Sequence, residues 1–396
     1  MKSSHYTTLY MKTANQSHFV WPASVTELHV HLGGAVPLYR LFEIAVDRGI
    51  RGMGQGYEEF VQLLRIEEGE IKDLDSYLEV YDKVELIQSG PLSVRECVRI
   101  AINGAYRTGG MARLGPGGEG GSPESLFRIA RLELRFNPLK RTGAVFLKGK
   151  HAGLYDVDRV IKAACDAVEE VQLAFRGKMR IGLIFCFGRD MTPEANYILA
   201  QKTATWSERS SHIIGVDLAG AESINPLSSA DKLAQMRDCF NLLPKHLGRT
   251  AHIGETTHVD LTTFIRTIES LNPKRVAHPI AAFRAYWGTS TNDEKSSTSG
   301  KGDDRGLKLL AERGITCEFC VKSNLLTGAV SSLAEYRRIL DTCDAFNIPY
   351  TFSTDAPALQ LTSLAQELSM LLEHNAASND QILRALKTAD TATFIR

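Results

Sequence analysis

The stretch TELHVHLGG, residues 26–34, sets two histidines one residue apart at the end of an apolar, β-prone run, then breaks at two glycines. Residues two apart in a strand share a face, so His29 and His31 can point at one spot. The glycines let the chain turn sharply beside whatever is held there. Such a pair either decorates a surface strand or begins a metal site, and the second case requires further ligands from elsewhere in the chain.

Seven more apolar runs follow: ARLELRF (130–136), MRIGLIFCF (179–187), HIIGVDLAG (212–220), RTAHIG (249–254), RVAHPI (275–280), GITCEFCVKSN (314–324) and IPYTFSTDA (348–356). Helical patterns such as DRVIKAACDAVEEVQLAF (158–175) and SLAEYRRILDTCDAF (332–346) lie between them. Continuously apolar strands alternating with amphipathic helices indicate a parallel sheet covered by helices. Eight such units predict an α/β fold, a (β/α)8 TIM barrel spanning the chain as one catalytic domain, 1–396. An open doubly wound sheet is the alternative, but no G-x-G-x-x-G follows the first strand. The long span between the first two strands, about residues 35–120, carries the helical patterns PLYRLFEIAVDRGI and LDSYLEVYDKVELI. It reads as a helical insertion over the C-terminal face, a lid. The Gly-rich segment 107–125 reads as a connector, and the polar segment 288–306 as an exposed loop without a catalytic part.

Forty-six basic and 46 acidic side chains cancel to a net charge of zero. That offers no phosphate-binding stripe for nucleic acid and no basic face for a membrane. The seven cysteines are scattered and read as reduced thiols of an intracellular protein. Cys317 and Cys320 form the sole C-x-x-C, in a β-like run where residues three apart face opposite sides, which argues against a zinc ribbon. With no apolar leader and no bilayer-length apolar run, a cytoplasmic protein is expected. Oligomeric state is not legible.

In a barrel of this kind the C-terminal strand ends form the active site. There the sequence places His29 and His31 (first strand), Asp217 and Gly220 (fourth), His252 and Glu255 (fifth) and His278 (sixth). Ser323 and Asn324 end the seventh and Asp355 the eighth. Three imidazoles and a carboxylate, His29, His31, His252 and Asp355, suit one borderline-soft divalent ion, most often zinc. His5, His18, His151, His212, His246 and His374 lie off these ends and read as surface or structural, and His258 as a loop residue.

At these positions the chain resembles the adenosine deaminase family of metal-dependent hydrolases. The matching pieces are ELHVHLGGA, RFNP, GVDLAGAE, HIGE, RVAHP, KSNLLTGAV and STDAP, in family order from about residue 25 onward. The resemblance implies hydrolytic deamination of adenosine or a related adenine nucleoside to the 6-oxopurine and ammonia. It assigns one zinc to His29, His31, His252 and Asp355, and protonation of the purine ring to Glu255. His278 would orient or deprotonate the attacking water, Gly220 would offer its amide to the purine, and Asp217 would support the site from behind. No lysine ends the fourth strand to bridge two metals, so one metal is expected.

Three positions depart from the family. Gly33 and Ala356 stand where it usually has acids that contact the ribose and a purine nitrogen, and Pro279 replaces a glycine. The first two touch substrate grip rather than the metal, so they leave open a modified adenine nucleoside or free adenine. The lid, including YEEFVQLL (57–64), is expected to supply the missing contacts. Other mononuclear-zinc hydrolases and a non-catalytic binding protein are the competing functions; the presence of Glu255 and of every ligand disfavours both.

Overall fold

The strands buried on both faces are the ones that read as continuous apolar runs. In the computed structural model, which describes residues 19–54, 56–66, 71, 73–111, 126–143, 155–288 and 302–396, they pair in parallel and in sequence order. They are β1 (Ser24–His31), β2 (Arg128–Phe136), β3 (Arg180–Gly188), β4 (Ile213–Ala219), β5 (Gly248–His252), β6 (Arg275–Ala277), β7 (Thr316–Phe319) and β8 (Tyr350–Phe352). The last is joined to the first just past its end: Val30 bridges Asp355, and the His31 amide donates to the Asp355 carbonyl at 2.7 Å. The Asp355 amide donates to the His29 carbonyl at 3.0 Å. This closure sets strand ends one and eight side by side, and the barrel expected from the sequence is the observed fold.

Among the described residues four α-helices lie between β1 and β2: α1 (Leu38–Asp47), α2 (Tyr57–Leu64), α3 (Leu74–Ile87) and α4 (Pro91–Thr108). The next, α5 (Val157–Ala174), packs against α4, which therefore belongs to the ring around the barrel. Only α1–α3 are inserted. α3 starts where Asp73 and Ser76 cap one another's backbone amides. The expected loops 107–125 and 288–306 fall largely outside the described residues, as do His5, His18 and His151. Among the described residues no helix is long and apolar enough to cross a membrane.

The strand ends depart from the sequence reading in one respect. β7 stops at Phe319, and Val321–Leu326 is a short helix, so Ser323 and Asn324 are helical rather than strand residues. A short apolar run does not distinguish strand from buried helix by periodicity. β6 and β8 are also shorter than read. His278 and Asp355 follow them with φ of +51° and +62°. A non-glycine residue in the left-handed region costs on the order of 1–3 kcal/mol, and such residues cluster at functional sites.

The barrel interior is charged where Val, Ile or Leu would be usual. Arg135 donates to Asp217 and Glu318, both at 3.0 Å, and Arg275 pairs at 2.6 Å with Glu133 and with Glu318, all buried. A second buried acid gives a stability test. Glu27 Oε1 accepts from the Thr354 amide at 3.2 Å and hydroxyl at 2.5 Å. Burial raises its carboxyl from an ordinary 4.5 to about 7, against the lowering by Thr354. A carboxyl raised in this way stabilises the fold fully below its unfolded pKa, and that contribution is lost as pH climbs through the folded value. Glu27→Gln keeps an acceptor and removes the titration. The variant should match wild type near pH 5 and exceed it at pH 8 by on the order of 1–3 kcal/mol. Thermal melts at both pH values check this; a gap of the same size at both would contradict it.

Candidate active site

His29 and His31 project from the end of β1 to one point, as their spacing requires, and His252 joins them from β5. Their ligand nitrogens all lie within 4.8 Å of one another. His31 Nε2 is 3.2 Å from His252 Nε2, and Asp355 Oδ1 is 3.7 Å from His29 Nε2 and 3.6 Å from His31 Nε2. Ligands at zinc-to-nitrogen distance on a tetrahedron stand about 3.3–3.4 Å apart, so these spacings fit one ion. His29 Nε2 is buried with no hydrogen-bond partner. Such an atom costs about 1–3 kcal/mol unless something binds it. The donor set, nitrogens with one carboxylate oxygen, suits zinc.

The outer nitrogens are held as a metal site demands. His29 Nδ1 lies 2.8 Å from Glu318 Oε2, and His252 Nδ1 lies 3.1 Å from Asp217 Oδ2. Both acids are anchored by Arg135. Burial opposes charge on Asp217, but His252 and Arg135 outweigh it and hold the carboxyl down at about 2. Burial, then Arg135, pushes His29 well below the ordinary imidazole value; burial, then His29 and His252, does the same for His31. Those two rings are therefore neutral, the form that binds metal, whereas for His252 burial is outweighed by Asp217, which raises it. Ser323 donates to Asp355 Oδ2 at 2.6 Å.

His278 stands beside this group, its ring centroid 5.2 Å from that of His29. Tyr336 donates to Asn324 Oδ1 at 2.5 Å, which turns the Asn324 Nδ2 group toward His278 Nδ1 at 2.8 Å. Nδ1 therefore accepts, and the ring carries its proton on Nε2. Burial, then His252, lowers His278 to about 4. Glu255 is buried, with Oε1 accepting from the Thr327 hydroxyl at 3.1 Å. Burial, then the neighbouring Glu222 carboxyl, raises it to about 7, a value suited to giving up a proton at neutral pH.

These groups open into a cavity of about 380 Å³, where Gly33, Gly220, Glu255, His278, Ser323 and Asp355 all lie on the lining. Gly220 takes φ of +99°, which a side chain would make costly. Asp217 and Asn324 stand behind the wall, holding His252 and His278. Ala356 is fully buried and does not line the cavity. The inserted wall is α3, through Leu74, Tyr77, Leu78 and Tyr81, and not the YEEFVQLL helix. Sequence reading also missed Glu318 and Arg135. Charged residues within otherwise apolar strands were the available signal. Cys320, unlike Cys317, has its sulfur within 4.8 Å of ligand atoms of His29 and His278. Burial, then Asp355, raises its thiol well above the ordinary value.

Comparison with known proteins bears on the family and the fold. The adenosine deaminase family profile matches residues 128–396. An adenosine deaminase of Vibrio cholerae is 26% identical over 367 residues, covering 91% of this chain and 90% of its own. The aminodeoxyfutalosine deaminase of Acidothermus cellulolyticus is 27% identical over 238 residues, 58% of this chain and 60% of that one. Among solved structures, an adenine deaminase from Arthrobacter aurescens superimposes with a TM-score of 0.71 at 18% identity, covering 93% of each chain. An Arabidopsis N6-mAMP deaminase gives 0.69 at 18% identity, covering 95% of this chain and 94% of its own. With the profile spanning most of the chain and the barrel shared, this protein belongs to the adenosine deaminase family.

Proposed function

We propose that this protein is a zinc-dependent deaminase of an adenine nucleoside uncharged at its 5′ end, adenosine first among them. The observation that carries the reading is the buried carboxyl of Glu255 on one cavity lining with His31, His252, His278 and Asp355, with His29 converging from behind. His29, His31, His252 and Asp355 would hold one zinc. When bound, the ion makes hydroxide available at neutral pH. Glu255 gives its proton to the ring nitrogen beside the attacked carbon, which makes that carbon electrophilic. His278, protonated on Nε2, orients the attacking oxygen through a hydrogen bond. The Gly220 amide faces the purine. As the tetrahedral centre collapses its hydroxyl proton passes to the amine, the C–N bond breaks, and ammonia and the 6-oxopurine leave.

By name, the relatives above act on adenosine, aminodeoxyfutalosine, adenine and N6-mAMP, the last of which carries a phosphate. Charge around the cavity favours a neutral group at the 5′ end. Asp75, Glu79, Asp82, Glu85 and Asp190 line it against Lys140 and Arg141. Both cations are already engaged: Lys140 with Asp190 at 2.7 Å and Arg141 with Glu85 at 2.8 Å. Among the described lining residues a phosphate would meet several acids, and each cation, Arg135 included, is already ion-paired with one. Zinc-loaded protein assayed for ammonia should therefore turn over adenosine with kcat/KM of about 10⁴ M⁻¹s⁻¹ or more, and AMP at least tenfold less well. AMP as the better substrate would overturn the charge argument. Zinc bound with no turnover of any adenine compound would overturn the deaminase reading.

A further inference from the structure

We infer that Tyr81, on the inserted helix α3, is a specificity-determining residue whose hydroxyl hydrogen-bonds the substrate. This rests on the deaminase reading above. β1 runs out into Gly33 and Gly34, which offer the cavity no side chain. Tyr81 takes the space they leave: a Cβ on Gly33 would stand 2.8 and 2.9 Å from two carbons of its ring. A Cβ on Gly34 would stand 2.9 Å from the Tyr81 hydroxyl and 2.2 Å from Ala356 Cβ. Gly33 thus leaves room for the Tyr81 ring and Gly34 for its hydroxyl. Its ring also stands edge-on to the metal-binding His31, at 87° and 6.3 Å between centroids.

The hydroxyl is oriented from behind. Gln360 Nε2 donates to Tyr77 Oη at 2.6 Å, and Tyr77 Oη lies 3.3 Å from Tyr81 Oη. Tyr77 Oη donates to Asp355 Oδ2 at 3.5 Å, which leaves it to accept from the Tyr81 hydroxyl. Tyr81 Oη then presents its lone pairs to the cavity. The tyrosine therefore selects a substrate group able to donate a hydrogen bond, a sugar hydroxyl first among them, and the Gly33–Gly34 pair is the space that lets it in.

The test compares zinc-loaded wild type, Tyr81→Phe, Gly33→Ala and the double variant on adenosine and its 2′-, 3′- and 5′-deoxy analogues. Tyr81→Phe keeps the ring and should keep Tm, while kcat/KM for adenosine falls about tenfold, mostly through KM. Affinity for inosine by calorimetry should weaken by a similar factor. A deoxy analogue insensitive to Tyr81→Phe identifies the sugar oxygen that is held; equal sensitivity of all four places the bond on the base. Gly33→Ala should displace the ring and raise KM similarly, with the double variant no worse than either single one. Unchanged kcat/KM and unchanged inosine affinity in Tyr81→Phe, with wild type active, would overturn this inference alone. A wild type inert on every adenine compound would overturn the deaminase reading and this inference with it.

Discussion

Replacing Glu255 by glutamine is expected to cut kcat by about 10²–10⁴-fold, the usual contribution of a positioned proton donor. The substitution is close to isosteric, and Gln can still accept from Thr327, so fold and metal content should be retained. The pH dependence gives a second readout. A proton donor works in its protonated form, and burial with Glu222 nearby sets this carboxyl at about 7. Its protonated fraction is about nine-tenths at pH 6 and about one-tenth at pH 8. The rate carried by Glu255 should therefore fall on the alkaline side of pH 7, and that limb should vanish in Glu255→Gln. Full activity in the variant, or an unchanged alkaline limb, would remove Glu255 from the proton-transfer role.

The second large effect concerns the ion. His31→Ala should lower bound zinc from one per chain to a small fraction and reduce turnover by on the order of 10³-fold or more, because hydroxide at neutral pH depends on the ion. Chelation of the wild type should give the same loss, reversed by added zinc. Removing the Asp217 support is milder. Asp217→Asn leaves four ligands but weakens the hold on His252 Nδ1, and such partners typically contribute 10–100-fold in metal affinity or activity. Zinc content by elemental analysis, read beside turnover, separates the two. Normal zinc content in His31→Ala would show that the converging imidazoles are not the ligand set.

Much of this site is legible in the chain because it is written in two short-range codes. Alternation places His29 and His31 on one face of β1. The parallel barrel then carries every strand-end residue to the same rim, so His252, Glu255, His278 and Asp355 meet without any knowledge of contacts. Ser323 shows where this reasoning fails. The apolar run 314–324 covers both a strand and the first turn of a helix, yet either conformation delivers Ser323 to the same rim, where it reaches Asp355.

The sequence by itself determined the barrel, the rim on which these residues gather and the residue types suited to one borderline-soft ion, since these follow from periodicity and from ligand chemistry. Only the tertiary structure decided what surrounds them. That Arg135 and Glu318 brace His29, that Tyr336 sets the proton of His278 through Asn324, and that Tyr81 fills the space over Gly33 are all contacts between residues far apart in the chain. Such contacts depend on packing and on the closure of the barrel, and no local pattern carries them. The raised carboxyl of Glu255 belongs with them. Its proton affinity comes from burial and from Glu222, in the turn after β4, and so exists only once the chain has folded.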